Sequence, residues 1–380
     1  MLYFLQHYWW LLVTLLGALL VFLMFVQGGQ SLLFGVANTK DEKSLLVNAM
    51  GHKWEMTFTT LVTFGGAIFA SFPLYYSTSF GGAYWLWMAI LFLFVLQAVS
   101  FEFRKKAGNL LGEKTYEIFL FLNGALGTFL VGAAVGTFFT GAAFSMEKGN
   151  ITDIAAPVIS SWSNGWHGLD ALTNPFNILL GAGVFLAART LGLLYVIRFI
   201  DSDTLVAKVK REVKYTGTIF VVGFVVILIM LFTMTGYAVD PASGVISPEK
   251  YKFLHNMIQL VWPAAMLLIG VLLVLYGLAT EFLSKGKYSF YITGGGVVLA
   301  VWSLLICAGF NNTAYFVSTV DIQQSLTLYN SSSSLFTLKV MAYVSLFIPV
   351  VLVYMTWVWR KLTSKKISKE ELMEKDTHRY

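Results

Sequence analysis

Residues 54–76 read WEMTFTTLVTFGGAIFASFPLYY. Behind Glu55 run 21 residues without a charge, closed by Pro73 and two tyrosines. About 20 mostly apolar residues, rising 1.5 Å each, cover the ~30 Å hydrocarbon core of a bilayer. An acid in the first turn suits the positive end of the helix dipole, and proline is tolerated best near a helix end. The stretch reads as a membrane-spanning helix, at roughly 58–76. Its neighbours, 9–27 and 81–101, repeat the pattern, as do 116–139, 176–200, 215–237, 255–283, 290–309 and 335–359, giving nine spans. Pro349 predicts a kink inside the ninth, and Arg189 and Lys339 fall within or near the fifth and ninth.

The composition agrees. Of 380 residues, 57% are hydrophobic and only 12% charged, with a mean hydropathy of +0.71. Soluble domains are about 25% charged. A water-soluble enzyme, a disordered regulator and a nucleic-acid binder are excluded, despite a formal charge of +6. The expected architecture is a single all-α polytopic membrane domain over 1–380. Cys307 is the single cysteine and cannot make an internal disulfide or a haem-attachment motif. The first helix is too long for a signal-peptide core and lacks a basic n-region, so it reads as retained.

Positive charge gives the orientation. Lys40, Lys43 and Lys53 follow span 1. Arg104, Lys105, Lys106 and Lys114 follow span 3, and Lys208, Lys210, Arg211 and Lys214 follow span 5. Lys285 and Lys287 follow span 7, and seven more basic residues lie in the tail from Arg360 to Arg379. The opposite face has only Lys148, Lys250 and Lys252. The N-terminus is expected outside and the tail, 361–380, in the cytoplasm as a short helix on the anionic inner leaflet. Trp9, Trp10, Trp85, Trp87, Trp357 and Trp359 fit an interfacial belt. Gly132 and Gly136, and the run Gly294–Gly296, have the small-residue spacing of close helix packing.

Polar residues limit the chemistry. The five histidines, His7, His52, His167, His255 and His378, all avoid the middle of a span. A haem–copper core needs several there, so no metal site or catalytic residue is expected, and any redox cofactor belongs to a partner. The thirteen methionines read as core filling. Ionisable residues at membrane depth are the functional candidates. Glu55 opens one span, Glu102 and Arg104 close the next, and Glu117 opens another, all at the basic end. Two accounts stay open: interfacial caps and ion pairs, or a proton relay through partly shielded carboxylates. Arg189 must be satisfied by carboxylate, backbone carbonyl, a lipid headgroup or an anionic ligand. Glu281 and Lys287 read as a solvated pair, and 311–334 as a polar surface loop that caps a partner. There is no GxxxxGK[ST], HExxH or Ser–His–Asp order.

Taken in order, YWWLL at 8–12, the 54–76 stretch, FEFRKK at 101–106, NPFNILLGAG at 174–183 and the helix ending in Trp357 and Trp359 resemble subunit II of the cytochrome bd-type quinol oxidases. The resemblance covers essentially the whole chain. It implies two four-helix bundles plus one extra helix, here 1–142 and 215–360 with 176–200 linking them. It implies a heterodimer with subunit I in the bacterial cytoplasmic (inner) membrane, with room for small single-helix subunits. Two b-type haems, one d-type haem and the quinol site lie in subunit I, where oxygen is reduced to water. This chain would hold no haem and at most a structural quinone or lipid. By the resemblance Glu55 takes the place of an acid associated with proton delivery from the cytoplasm, with oxygen access a second role of the chain. Trp54, Arg104, Asn174 and Pro175, together with Glu102, match motif positions whose roles are architectural.

Two departures stand out. QGGQSLLFG puts Gln27 and Gln30 where the family usually has carboxylates, so proton or cation exchange at those positions is lost or moved. Thr60 stands where some relatives have a Trp lining an oxygen path. Two other functions compete: a secondary transporter with a midplane solute site, suggested by Arg189 and the triple glycine, and a purely structural scaffold.

Overall fold

The computed structural model describes residues 1–106, 108–153, 155, 158–283 and 286–368. The first half holds α1 (Leu2–Leu23), α2 (Phe25–Gln30), α3 (Lys40–Gly51), α4 (Trp54–Ser71), α5 (Pro73–Tyr76), α6 (Tyr84–Phe103), α7 (Glu113–Leu122) and α8 (Thr128–Thr140). A single π-helical turn, Asn123–Gly127, joins α7 to α8. Strands β1 (Phe144–Met146) and β2 (Ser160–Trp162) precede α9 (Pro175–Phe199) and α10 (Asp203–Thr233). Then come β3 (Thr235–Val239), β4 (Ile246–Lys250), α11 (Lys252–Gln259), α12 (Val261–Phe282) and α13 (Ser289–Gly309). The chain closes with β5 (Ala314–Phe316), β6 (Leu326–Thr327), α14 (Leu328–Ser331), α15 (Leu335–Ser345) and α16 (Ile348–Leu362).

Seven helices are long and apolar enough to cross a membrane, or eight when α15 and α16 are counted as one bent span. The remaining expected span, 58–76, is α4. It has 18 residues, and it stops because Pro73 cannot donate to the helix ladder. The α15–α16 bend is 40° and lies just before Pro349, where the kink is expected.

Helix α9 is the hub. Leu191, Leu193, Leu194, Tyr195 and Val196 are all buried, so this stretch of the helix is covered on every side, as a helix segment apolar all round must be. It packs against α2, α8 and α10, while α12 pairs with α13 and α1 lies between α4 and α13. Small residues make the closest approaches. A Cβ on Gly132 would sit 2.8 Å from Gly181 Cα, and one on Gly296 2.6 Å from the Gly270 carbonyl oxygen. The expected packing role is found for Gly132, Gly136, Gly294 and Gly296, but not for Gly295, which faces open space.

Three antiparallel hairpins, β1–β2, β3–β4 and β5–β6, gather at the end opposite the basic loops. The segment 311–334 is therefore not a surface loop. Tyr315 and Phe316 are fully buried, and the Tyr315 ring lies 4.5 Å from Trp10 and 5.5 Å from Tyr75. Burying those aromatic rings outweighs the polarity of their neighbours. Trp9 and Trp10 likewise leave the expected belt for the core, donating to the Leu338 and Leu305 carbonyls. Trp85 and Trp357 stay exposed.

At the basic end, α10 starts twelve residues before the apolar run at 215, because Leu205, Val209 and Val213 bury one stripe of the basic segment. The described part of the tail is not a helix beyond Leu362. Ile367 is buried, its N–H donating to the Phe199 carbonyl while Asp201 N–H donates back to Ile367. Residues 369–380, with His378, lie outside the described residues.

Candidate functional site

The charged residues at the basic end meet where α3, α6, α7 and α10 come together. Thr39 caps α3 in a reciprocal box with Glu42, and Glu42 also receives Lys208 at 2.8 Å. Burial raises the Glu42 carboxyl, but Lys208 and the Asn38 and Thr39 N–H groups outweigh it and hold it below the ordinary carboxylate range. The next residue of α3, Lys43, reaches Glu117 of α7 at 2.8 Å. Arg104, at the end of α6, donates from Nη2 to the other Glu117 oxygen at 2.8 Å. Arg104 is 1% exposed, and among the described residues its Nε and Nη1 have no hydrogen-bond partner. Asn109 fastens the Arg104 carbonyl at 2.9 Å.

The structure thus brings Arg104 and Glu117 together, with Lys43 as the partner that sequence reasoning missed. Lys43 and Glu117 are 74 residues apart, so no local pattern announces the pair. Glu102 points elsewhere, exposed and paired with Lys106 one turn on. Glu55 lies exposed in the first turn of α4, and among the described residues no ion pair reaches it. Trp54 stacks on Phe101, centroids 6.0 Å apart, which sets the start of α4 beside the end of α6. Asn174 caps α9 by accepting from Phe176 N–H, with Pro175 at the first helical position where its missing N–H costs nothing.

Arg189 is satisfied inside the chain. Nη1 donates to the Ser31 carbonyl and hydroxyl at 2.8 and 3.0 Å, and Nη2 to Glu212 at 2.9 Å. This is the ion-pair account of that residue, and Glu212 was not foreseen because it lies in a segment read as loop. Glu281 does not pair with Lys287. It is buried and accepts from the Ser289 hydroxyl, while Lys287 sits over Tyr288.

Lys53 precedes α4, 1% exposed, with its ammonium 5.0 Å above the Trp359 ring and no hydrogen-bond partner among the described residues. Burial pushes it down to about 8, against about 10.4 in an unfolded chain. The unfolded chain therefore binds more protons between those two values, so stability rises with pH across that window and the full penalty is present below it. Replacing Lys53→Met should stabilise the protein near pH 7 by up to about 3 kcal/mol less the lost cation–π contact, read as a higher melting temperature. The gain should shrink as pH is raised from 8 toward 10.5, and a flat difference would contradict the burial account.

At mid-depth the helices line a partly open apolar cleft, formed by residues such as Leu61, Phe64, Phe138, Phe224, Val271 and Leu304 and by no charged side chain. Among the described residues no three His, Cys, Asp or Glu side chains gather as metal ligands. The described histidines sit at helix ends or in loops. His7 is tied to the Tyr3 carbonyl, His167 to that of Gly82 and His255 to Glu249.

Comparison with known proteins extends over almost the whole chain. The family described as Cytochrome bd terminal oxidase subunit II matches residues 5–362. The chain is 25% identical to Cytochrome bd-I ubiquinol oxidase subunit 2 of Escherichia coli (strain K12), over 98% of each chain. It is 26% identical to Cytochrome bd ubiquinol oxidase subunit 2 of Bacillus subtilis (strain 168), over 95% of this chain and 98% of the relative. Among solved structures, it shares its fold with a chain of the bd oxidase from Geobacillus thermodenitrificans. That match has a TM-score of 0.62 at 11% identity and covers 93% of this chain and 98% of the other. With nearly every helix inside the matched region, the chain belongs to the cytochrome bd terminal oxidase subunit II family.

Proposed function

We propose that this chain is the haem-free second subunit of a quinol:oxygen oxidoreductase in a bacterial inner membrane. It pairs with a subunit I that carries two b-type haems, one d-type haem and the quinol site. The observation that carries this reading is the family match from residue 5 to residue 362. The paired polar residues and the helix-end histidines are consistent with it, since they leave redox chemistry to the partner. A transporter is not favoured: Arg189 is engaged by Ser31 and Glu212, and the midplane cleft lacks a charged group. An isoprenoid or acyl chain suits that cleft, as structural filler.

The outward face of α4 carries Glu55, Thr59, Val62, Thr63, Gly66 and Phe69, all exposed. Small and hydroxylated residues on a spanning helix suit close packing with another helix better than lipid. In this reading subunit I docks there, and Glu55 stands at the cytoplasmic rim of the seam, where it takes up protons. Glu102 collects them at the surface, and Glu117 is the clamp that holds α3, α6 and α7 around the site. With the N-terminus outside, the tail and the loop holding Lys148 lie in different compartments, which reporter fusions at both positions check. Glu55→Gln keeps the shape and removes the titrating group. Quinol-driven oxygen consumption should fall about tenfold or more, with haem content and assembly unchanged. Wild-type turnover in that variant would leave Glu55 an interfacial cap and the chain a scaffold.

A further inference from the structure

Helix α2 is squeezed on one side. A Cβ on Gly28 would lie 1.8 Å from the Ala188 carbonyl oxygen, and one on Gly192 2.4 Å from the Gly29 nitrogen, so α2 and α9 touch backbone to backbone. Gln27 and Gln30, three residues apart and so on one side of the helix, face Gln97 of α6 and the π-helical turn at Asn123. Gln27 Nε2 donates to Gln97 Oε1 at 2.7 Å, Gln30 Nε2 at 2.6 Å and Asn123 Nδ2 at 3.3 Å. All four side chains are 0–2% exposed.

The arrangement is unbalanced. A carbonyl oxygen has two lone pairs, yet three amide groups converge on this one. Meanwhile Gln27 Oε1, Gln30 Oε1, Asn123 Oδ1 and Gln97 Nε2 are buried without a hydrogen-bond partner among the described residues. Turning an amide end for end changes which atom is orphaned and does not remove the mismatch, because one end of Gln97 meets three neighbours and the other meets none. An orphaned buried polar atom costs about 1–3 kcal/mol, and four in one cluster call for a guest. The guest must both donate to amide oxygens and accept from an amide N–H.

We propose that Gln27, Gln30, Gln97 and Asn123 form a binding site for internal water, one molecule or a short chain bridging the orphaned amide atoms. Water has the required two donors and two acceptors. A monovalent cation would satisfy the oxygens but not Gln97 Nε2. A polar route leads outward: Ser31, next to Gln30, takes both bonds from Arg189 Nη1, and Arg189 pairs with the partly exposed Glu212. None of the four amides titrates, so the site solvates this depth of the bundle without itself exchanging a proton.

The test is a density map of the intact membrane complex at a resolution where buried waters appear elsewhere in the same map. At least one isolated peak is expected within about 2.7–3.2 Å of two or more of the four amides. It should persist when sodium and potassium are replaced by choline. A peak lost in choline would mean a cation and overturn the proposal, as would no peak at all. Gln97→Leu should remove or displace the peak, and Asn123→Ala serves if that variant does not assemble. A peak unchanged in the substituted complex would show that the amides do not hold the guest.

Discussion

Glu117→Ala should be the most damaging single charge removal in this chain. It leaves Arg104, 1% exposed, with no carboxylate, and strands Lys43 against α7 as well. Truncating one member of a buried ion pair costs about 3–5 kcal/mol, because the surviving charge keeps its desolvation penalty without its compensation. The expected readout is a large drop in the melting temperature of the purified complex, and a loss of assembled complex from membranes. The same physics predicts a rescue. Arg104→Met combined with Glu117→Leu removes both buried charges and fills their volume, so the double variant should recover most of the loss. Lys43, partly exposed, is free to turn outward in that variant. If the double variant is as unstable as Glu117→Ala, the clamp is not a desolvated pair and the account fails.

Gly28→Ala is the second. One methyl group is added, but it would lie 1.8 Å from the Ala188 carbonyl oxygen and 2.2 Å from the carbon, both fixed backbone of α9. No side-chain rotation relieves a backbone clash, so α2 must separate from α9 and the packing around both is lost. Overpacking a tight core costs about 1–3 kcal/mol and occasionally more, and this contact belongs at the upper end. The yield of intact complex should collapse. Gly295→Ala is the control, since its Cβ would meet nothing within 4 Å on the exposed side of α13. It should be neutral, or stabilise by up to about 1 kcal/mol through the helix preference of alanine. Equal effects from the two substitutions would mean that the α2–α9 approach is not close.

These two sites differ in how far they were legible. Arg104 and Glu117 stand out in the sequence as charges at the ends of apolar runs, and the rarity of such charges marks them. Their mutual contact, and the third member Lys43, do not stand out, because pairing depends on which helix ends meet. QGGQ reads as a departure from a family pattern, and nothing local says that its glycines serve α9 and its glutamines serve α6. Gln97 and Asn123 carry no charge, so the rarity of charges at membrane depth does not mark them. The misread segments failed for a related reason. The stretch at 311–334 looked like solvent-facing loop because its hydroxyls and amides dominate by number. Tyr315 and Phe316 decide its place by area, and they do so only once the ends of α1, α4 and α8 offer a pocket to fill.

By itself the sequence determined the solvent, the number of crossings to within one or two, and the face that carries the positive loops. Those properties follow from transfer free energies summed along each segment, which need no partner. Tertiary structure alone decided which charges are paired, that Arg189 is spoken for, that Glu55 is left open, and that four amides share one buried layer. Each of these depends on the distance between atoms far apart in the chain. In a medium where water does not solvate a stray polar group, that distance separates a satisfied contact from a costly orphan.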